Sequence, residues 1–266
     1  MSGAILESMA QWLLLDGPDA PQALLILRRA FADVQCFNLF DGTEFEPVSE
    51  HGPVLIDLRD CPALAALCHS DPNTWRGLLL GSEVCAQRLL SHLQRMLTVS
   101  FGLSHRALLS YYNRQTASYF FDACDAAELS RWLGPIRQMR WFGGTWADRA
   151  IGSQGWQHLR NPGLAVEPLS IEESLTRRQR ERERLQTCLL EQHVWRWCQS
   201  LGTDYATMSS HVQQGLALGF SDRTVLDGWL WLRLLHPRAV LVPPPVGLTQ
   251  QQRLDHVRRQ WHGDQS

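Results

Sequence analysis

The feature that most constrains this chain is a change of hydrophobic period near residue 170. Up to about residue 147, apolar runs of four or five residues alternate with amphipathic stretches; beyond 170 every patterned segment repeats at helical spacing. Trp12-Leu13-Leu14-Leu15 closes at the turn signal Asp16-Gly17-Pro18, after which Ala23, Leu24, Leu27, Ala30 and Phe31 recur as one helix face. Residues 36–40, ended by Asp41-Gly42, and 54–58 read as the second and third strands. A helix over 62–69, a buried strand over 77–80 and a helix capped by Ser82 and running through Leu97, with Glu83 in its first turn, come next. Residues 98–101 and 106–112 form a strand pair across Gly102-Leu103-Ser104, and short helices over 116–124 and 126–133 lead to a last extended run at 137–142.

This pattern implies an α+β fold: an N-terminal α/β lobe with a mixed sheet flanked by helices, followed by an all-helical C-terminal lobe. The boundaries fall at 1–147 for the first lobe, 148–169 for a Gly-, Asn- and Gln-rich linker or covering loop, and 170–266 for the second. Ser170 with Glu173 is a capping box opening a helix to about Ser200, and helices over 205–218 and 222–235 follow. Pro243-Pro244-Pro245 is a stiff spacer before a terminal helix over 249–261.

All 25 basic side chains are arginine. Without lysine the chain cannot be a P-loop enzyme, a protein kinase or a Schiff-base enzyme in the usual form. A net charge of −2 is too balanced for a dedicated nucleic-acid binder, although residues 1–147 carry −4 and 148–266 carry +2. The seven cysteines include no CxxC and sit mostly in apolar runs, which reads as reduced core thiols. No cation precedes Arg28, and no apolar run approaches the roughly 18 residues of a membrane span, so a cytoplasmic location is expected.

The densest charge run is 177–184, with five arginines and two glutamates. The apolar stripe breaks between Leu175 and Leu185, so this part of the helix is expected to project into solvent, either simply solvated or as a docking face for an acidic partner. The interleaved glutamates argue against phosphate binding. Trp229-Leu230-Trp231-Leu232 reads as bundle core or as a tryptophan-lined partner groove. Cys61, Cys68 and His69, or His193 with Cys198, lack metal-ligand spacing, and no GxSxG or GxGxxG is present, so no catalytic residue, metal site or cofactor is expected.

The order of the motifs is informative. Leu14-Leu15-Asp16-Gly17, then Cys36-Phe37-Asn38-Leu39-Phe40-Asp41-Gly42-Thr43, His51-Gly52-Pro53-Val54-Leu55-Ile56-Asp57-Leu58, Trp75-Arg76-Gly77, Tyr111-Tyr112-Asn113-Arg114 and Leu133-Gly134-Pro135 together resemble the type VI secretion effector chaperone and adaptor family, encoded between a VgrG spike gene and a toxin gene. The likeness covers roughly residues 11–145. Members usually carry Asp where this chain has Asn113; Tyr112 and Arg114 match. The resemblance implies a non-enzymatic loading factor whose partners are a toxin effector and the C-terminal region of VgrG, with no nucleic acid and no membrane. The partner surface expected on this basis comprises Asp41, Glu44 and Glu46, Tyr112 and Arg114, and Arg178, Arg182 and Arg184 on the charged helix. The competing classes are a small hydrolase-like enzyme with an unrecognised site and a nucleic-acid-binding module using the arginine-rich helix.

Overall fold

A computed structural model describes residues 10–101, 105–122, 124–165, 171–245 and 247–263. Two compact units divide the chain, Met1–Leu189 and Leu190–Ser266.

The first unit is built on a six-stranded sheet of order β2-β3-β1-β4-β7-β8. Its strands are β1 (Trp12–Leu15), β2 (Cys36–Asn38), β3 (Val54–Asp57), β4 (Gly77–Gly81), β7 (Gln138–Gly143) and β8 (Gly155–Arg160), while β5 (Thr98–Phe101) and β6 (His105–Leu108) form a separate pair. Every pairing is antiparallel, where the sequence suggested a mixed sheet. Interleaved helices do not require parallel neighbours here: the helix Pro21–Ala30 links β1 to β2 and the helix Pro62–Ser70 links β3 to β4, and in each case one strand running the other way lies between the two.

Alternation along the strands separates two cores. Trp12 and Leu14 of β1, Leu55 of β3, Leu78 and Leu80 of β4, and Met139 and Trp141 of β7 face one side. There they meet Leu89 and Leu93 of α3 (Ala86–Arg95), Phe120 and Phe121 of α4 (Arg114–Asp122) and Leu133 of α5 (Ala126–Leu133). Leu13, Leu15, Ile56 and Leu79 face the other side, against Ala23 and Leu27 of α1 (Pro21–Ala30) and Leu64 and Cys68 of α2 (Pro62–Ser70). Because both faces are covered, β1 and β4 read as unbroken apolar runs, and each fully buried leucine contributes about 1.5–3 kcal/mol.

Several local readings are corrected. The segment expected as a linker holds α6 (Trp146–Ile151) and the edge strand β8. Thr145 and Asp148 form a complete capping box at α6, and Gly152 ends it in the left-handed conformation. Ser82 does not cap α3: its hydroxyl donates to the Pro135 carbonyl at 2.9 Å, and the helix begins after Cys85. The Ser170 capping box and the Gly102–Ser104 connection lie outside the described residues. All seven cysteines are free thiols, with Cys68, Cys188 and Cys198 buried but Cys36 and Cys85 exposed, so the expectation of core thiols holds for only part of the set.

The long helix α7 (Ile171–Leu201) spans the division between the units. In the second unit its Val194 and Cys198 pack with α8 (Tyr205–Ala217), α9 (Arg223–Leu235) and α10 (Gln250–Gly263) around Met208, Val212, Phe220, Trp229, Val257 and Trp261. Asp204 and Asp222 cap α8 and α9 through their side chains. The tryptophan run splits between the two readings given to it: Trp229 is fully buried, whereas Trp231 is 53% exposed.

Candidate functional site

The motifs spread along the first 114 residues meet at one end of the sheet. β1 stops at Leu15, and the Asp16 amide donates to the Arg76 carbonyl at 2.9 Å, which holds the start of β4 against the end of β1. The buried Asp16 carboxylate accepts a 2.9 Å bond from Asn113 Nδ2. Asn113 Oδ1 in turn accepts from the amides of Gln115 and Thr116, at 3.1 and 3.2 Å, and so caps α4. One side chain therefore donates to a carboxylate and accepts from a helix start. An ionised Asp could do only the second.

Arg114 follows, 3% exposed. Its Nη1 donates to the Phe142 carbonyl at 3.2 Å and to Asn73 Oδ1 at 3.3 Å, tying α4 to β7 and to the approach to β4, while Nε has no partner. Burial, reinforced by repulsion from Arg76, pushes its guanidinium down to about 10, so it stays protonated at neutral pH. Arg76 pairs with Asp19 at 2.9 Å. Burial also raises the Asp16 carboxyl above the ordinary value, opposed by the Asn113 bond and by Arg114. Next to this group lies Gln115, 1% exposed, with neither amide atom bonded. The arrangement is a buried polar junction that fixes the positions of β1, β4, α4 and the end of β7. Tyr112, 7% exposed, packs edge-on to Phe40 and Tyr111. Tyr112 and Arg114 thus hold the sheet end together rather than presenting a surface, which corrects their expected role.

The arginine-rich part of α7 does not project into solvent. Glu181 and Arg184 are 5% and 9% exposed, on the helix face that continues into Leu185 and Cys188. Arg184 Nη1 donates to the Phe120 carbonyl near the end of α4, at 3.2 Å, and Nη2 pairs with Glu128 at 3.3 Å. Arg180 reaches the other Glu128 oxygen at 2.9 Å, and Arg177 pairs with Glu181 at 3.4 Å. Glu128 also completes the capping box with Asp125 that starts α5. The stripe seemed to end because its buried positions here are charged and paired instead of apolar. Arg178 and Arg182 are half-buried at the edge of that face.

The acidic turn keeps its expected exposure. Asp41, Glu44 and Glu46 are exposed around the 3-10 segment Glu46–His51. The turn is internally braced: Asp41 accepts from Ser49 Oγ, Glu46 accepts from the Gly42 amide at 3.2 Å, and Gln94 of α3 donates to the Asp41 carbonyl at 2.8 Å. Beside it an open groove of about 560 Å³ is lined by Glu44, Phe45, Gln94, Arg95 and Thr98 among others.

Sequence reasoning missed a cavity in the second unit, about 330 Å³, lined by His193, Arg196, Trp197, Ser200, Asp227 and Trp231 among others. Asp227 Oδ1 accepts from Trp197 Nε1 at 2.8 Å and lies 2.9 Å from His193 Nε2. Burial lowers the His193 imidazole below its ordinary value, with Asp227 opposing. Serine, histidine and aspartate share this cavity, yet Ser200 Oγ donates to the Arg196 carbonyl at 3.0 Å, so no nucleophile is bonded to the base. The signal was His193 and Trp197, one helical turn apart. Among the described residues no group of three His, Cys, Asp or Glu could hold a metal, and no helix is long and apolar enough to cross a membrane.

Residues 11–131 match a family model described as Domain of unknown function (DUF4123). The matched region runs from β1 into α5 and contains the Asp16–Asn113–Arg114 junction, whereas β7 and β8 complete the sheet beyond it. No curated protein and no solved structure matches the chain.

Proposed function

We propose that the protein is a non-catalytic adaptor of type VI secretion, which binds one toxin effector and delivers it to the C-terminal region of a VgrG spike. The observation that carries this reading is the family match over residues 11–131, which falls on the ordered motifs of the resemblance. Residues from three of those motifs, Asp16, Arg76 and Asn113-Arg114, meet in the junction described above. Two compact units of opposite net charge suit a protein with two partners.

The partner surface is smaller than the sequence suggested. Tyr112, Arg114 and Arg184 are buried in internal contacts, whereas Asp41, Glu44 and Glu46 on the braced turn are exposed and Arg178 and Arg182 on α7 are half-buried. A turn held by three internal bonds presents its carboxylates at little further cost in conformational entropy. The nucleic-acid reading loses support because three of the five arginines in 177–184 are paired with Glu181, Asp125 or Glu128. Co-expression of the full chain with the neighbouring toxin and the VgrG C-terminal region tests the proposal. The triple variant Asp41→Lys, Glu44→Lys, Glu46→Lys should lose one partner when assayed well below its melting temperature, which is expected to fall slightly because Asp41 and Glu46 also brace the turn; capture of neither partner by the unmodified chain would refute the adaptor role.

A further inference from the structure

We propose that the concave surface between α3 and α5 is a binding site for a compact phosphoryl anion of the pyrophosphate class. A cavity of about 360 Å³ there is lined by Arg88, His92 and Arg95 of α3 and by Ser130, Arg131, Gly134 and Pro135 at the end of α5, with no carboxylate in the lining. Arg88, His92 and Arg95 stand at i, i+4 and i+7, so they share one helix face, and Arg131 meets them from the second helix.

Helix electrostatics do not account for this set. Arg95 in the last turn is favoured by the helix dipole, but Arg88 lies in the first turn of α3, where the dipole opposes a cation. Neither Arg88 nor Arg95 has an ion pair among the described residues. Other arginines of this unit do pair with carboxylates, as Arg76 does with Asp19 and Arg137 with Glu83.

The wall of the cavity is fixed. His92 Nε2 donates to the Trp132 carbonyl at 2.9 Å, which anchors the ring. The ring packs against Gly134, whose φ is +50° and where an added Cβ would lie 2.4 Å from His92 Cε1. Ser130 Oγ is already committed, donating to the Ala126 carbonyl at 2.9 Å and accepting from the Leu164 amide at 3.1 Å. Ligand recognition therefore falls to the guanidinium groups, whose planar forks match phosphoryl oxygens. The charged groups in the lining are three arginines, with no carboxylate and no Phe, Tyr or Trp, which suits a small, highly charged anion.

Isothermal titration calorimetry of the full chain with pyrophosphate, at fixed ionic strength, tests the site, with citrate as the carboxylate comparison. We expect saturable one-site binding of pyrophosphate, weaker binding of citrate, and a loss of at least about tenfold in the Arg88→Gln, Arg95→Gln variant. Both side chains are exposed, so this variant should keep the wild-type melting temperature, and Arg238→Gln, an exposed arginine of the other unit, should bind as the wild type does. No saturable heat with pyrophosphate, equal affinity in the double variant, or citrate binding as tight as pyrophosphate would overturn the proposal.

Discussion

Replacing Arg184 by alanine should destabilise the first unit far more than replacing Arg178, although the two lie in the same charge run. The Arg184 side chain is 8% exposed, its partner Glu128 is 7% exposed, and Arg184 also donates to the Phe120 carbonyl. Removing one member of a buried pair costs about 3–5 kcal/mol, because the other charge is left without compensation. Here Arg180 still lies 2.9 Å from the second Glu128 oxygen, which places the loss at the lower end, about 3 kcal/mol. For a unit of this size that corresponds to a fall in Tm of about 6–12 °C. Arg178→Ala, at a half-buried position, should change stability by no more than about 1 kcal/mol. Urea denaturation followed by circular dichroism measures both, and a double-mutant cycle with Glu128→Gln should give a coupling of about 1–3 kcal/mol. Equal losses for Arg184→Ala and Arg178→Ala, or zero coupling to Glu128, would refute the docked helix.

Three other outcomes follow from the geometry. The raised Asp16 carboxyl binds its proton more tightly in the folded state, so it contributes stability below the unfolded value near 3.8 that is lost as pH rises through the folded value. The unfolding free energy of the wild type minus that of Asp16→Asn should therefore decrease across that window, and a flat difference in a denaturation series from pH 3.5 to 6.5 would contradict it. Gly134→Ala combines a left-handed φ with a clash on His92 and should cost about 2–4 kcal/mol in thermal unfolding. Gly215→Ala would place a Cβ 2.5 Å from Trp229 Cδ1 between α8 and α9, costing about 1–3 kcal/mol; limited proteolysis should show earlier cleavage beyond Leu190 with the first unit unaffected.

Much of the fold was legible because strong periods coincide with good boundary residues. β1 and β4 are apolar throughout, since both sheet faces are covered, and α8 and α9 start at aspartates that cap them. β8 was not legible. Gly155-Trp156-Gln157-His158-Leu159-Arg160 is an edge strand whose residues are only partly buried, and its position comes from pairing with β7 rather than from its own pattern. The docked face of α7 was missed for a related reason: hydrophobic periodicity gives no weight to a buried Glu181 or Arg184, whose burial depends on partners in α4 and α5. The site was half legible. Asp16, Arg76, Asn113 and Arg114 stood out as motif residues, but a motif does not say whether a side chain faces a partner or the core, and Tyr112 and Arg114 face the core.

Toxin delivery tests the central claim most directly. With the gene for this chain deleted, the cognate effector should disappear from the secreted fraction while VgrG export continues, and the unmodified chain supplied in trans should restore it. Undiminished effector secretion in the deletion strain would contradict the adaptor account.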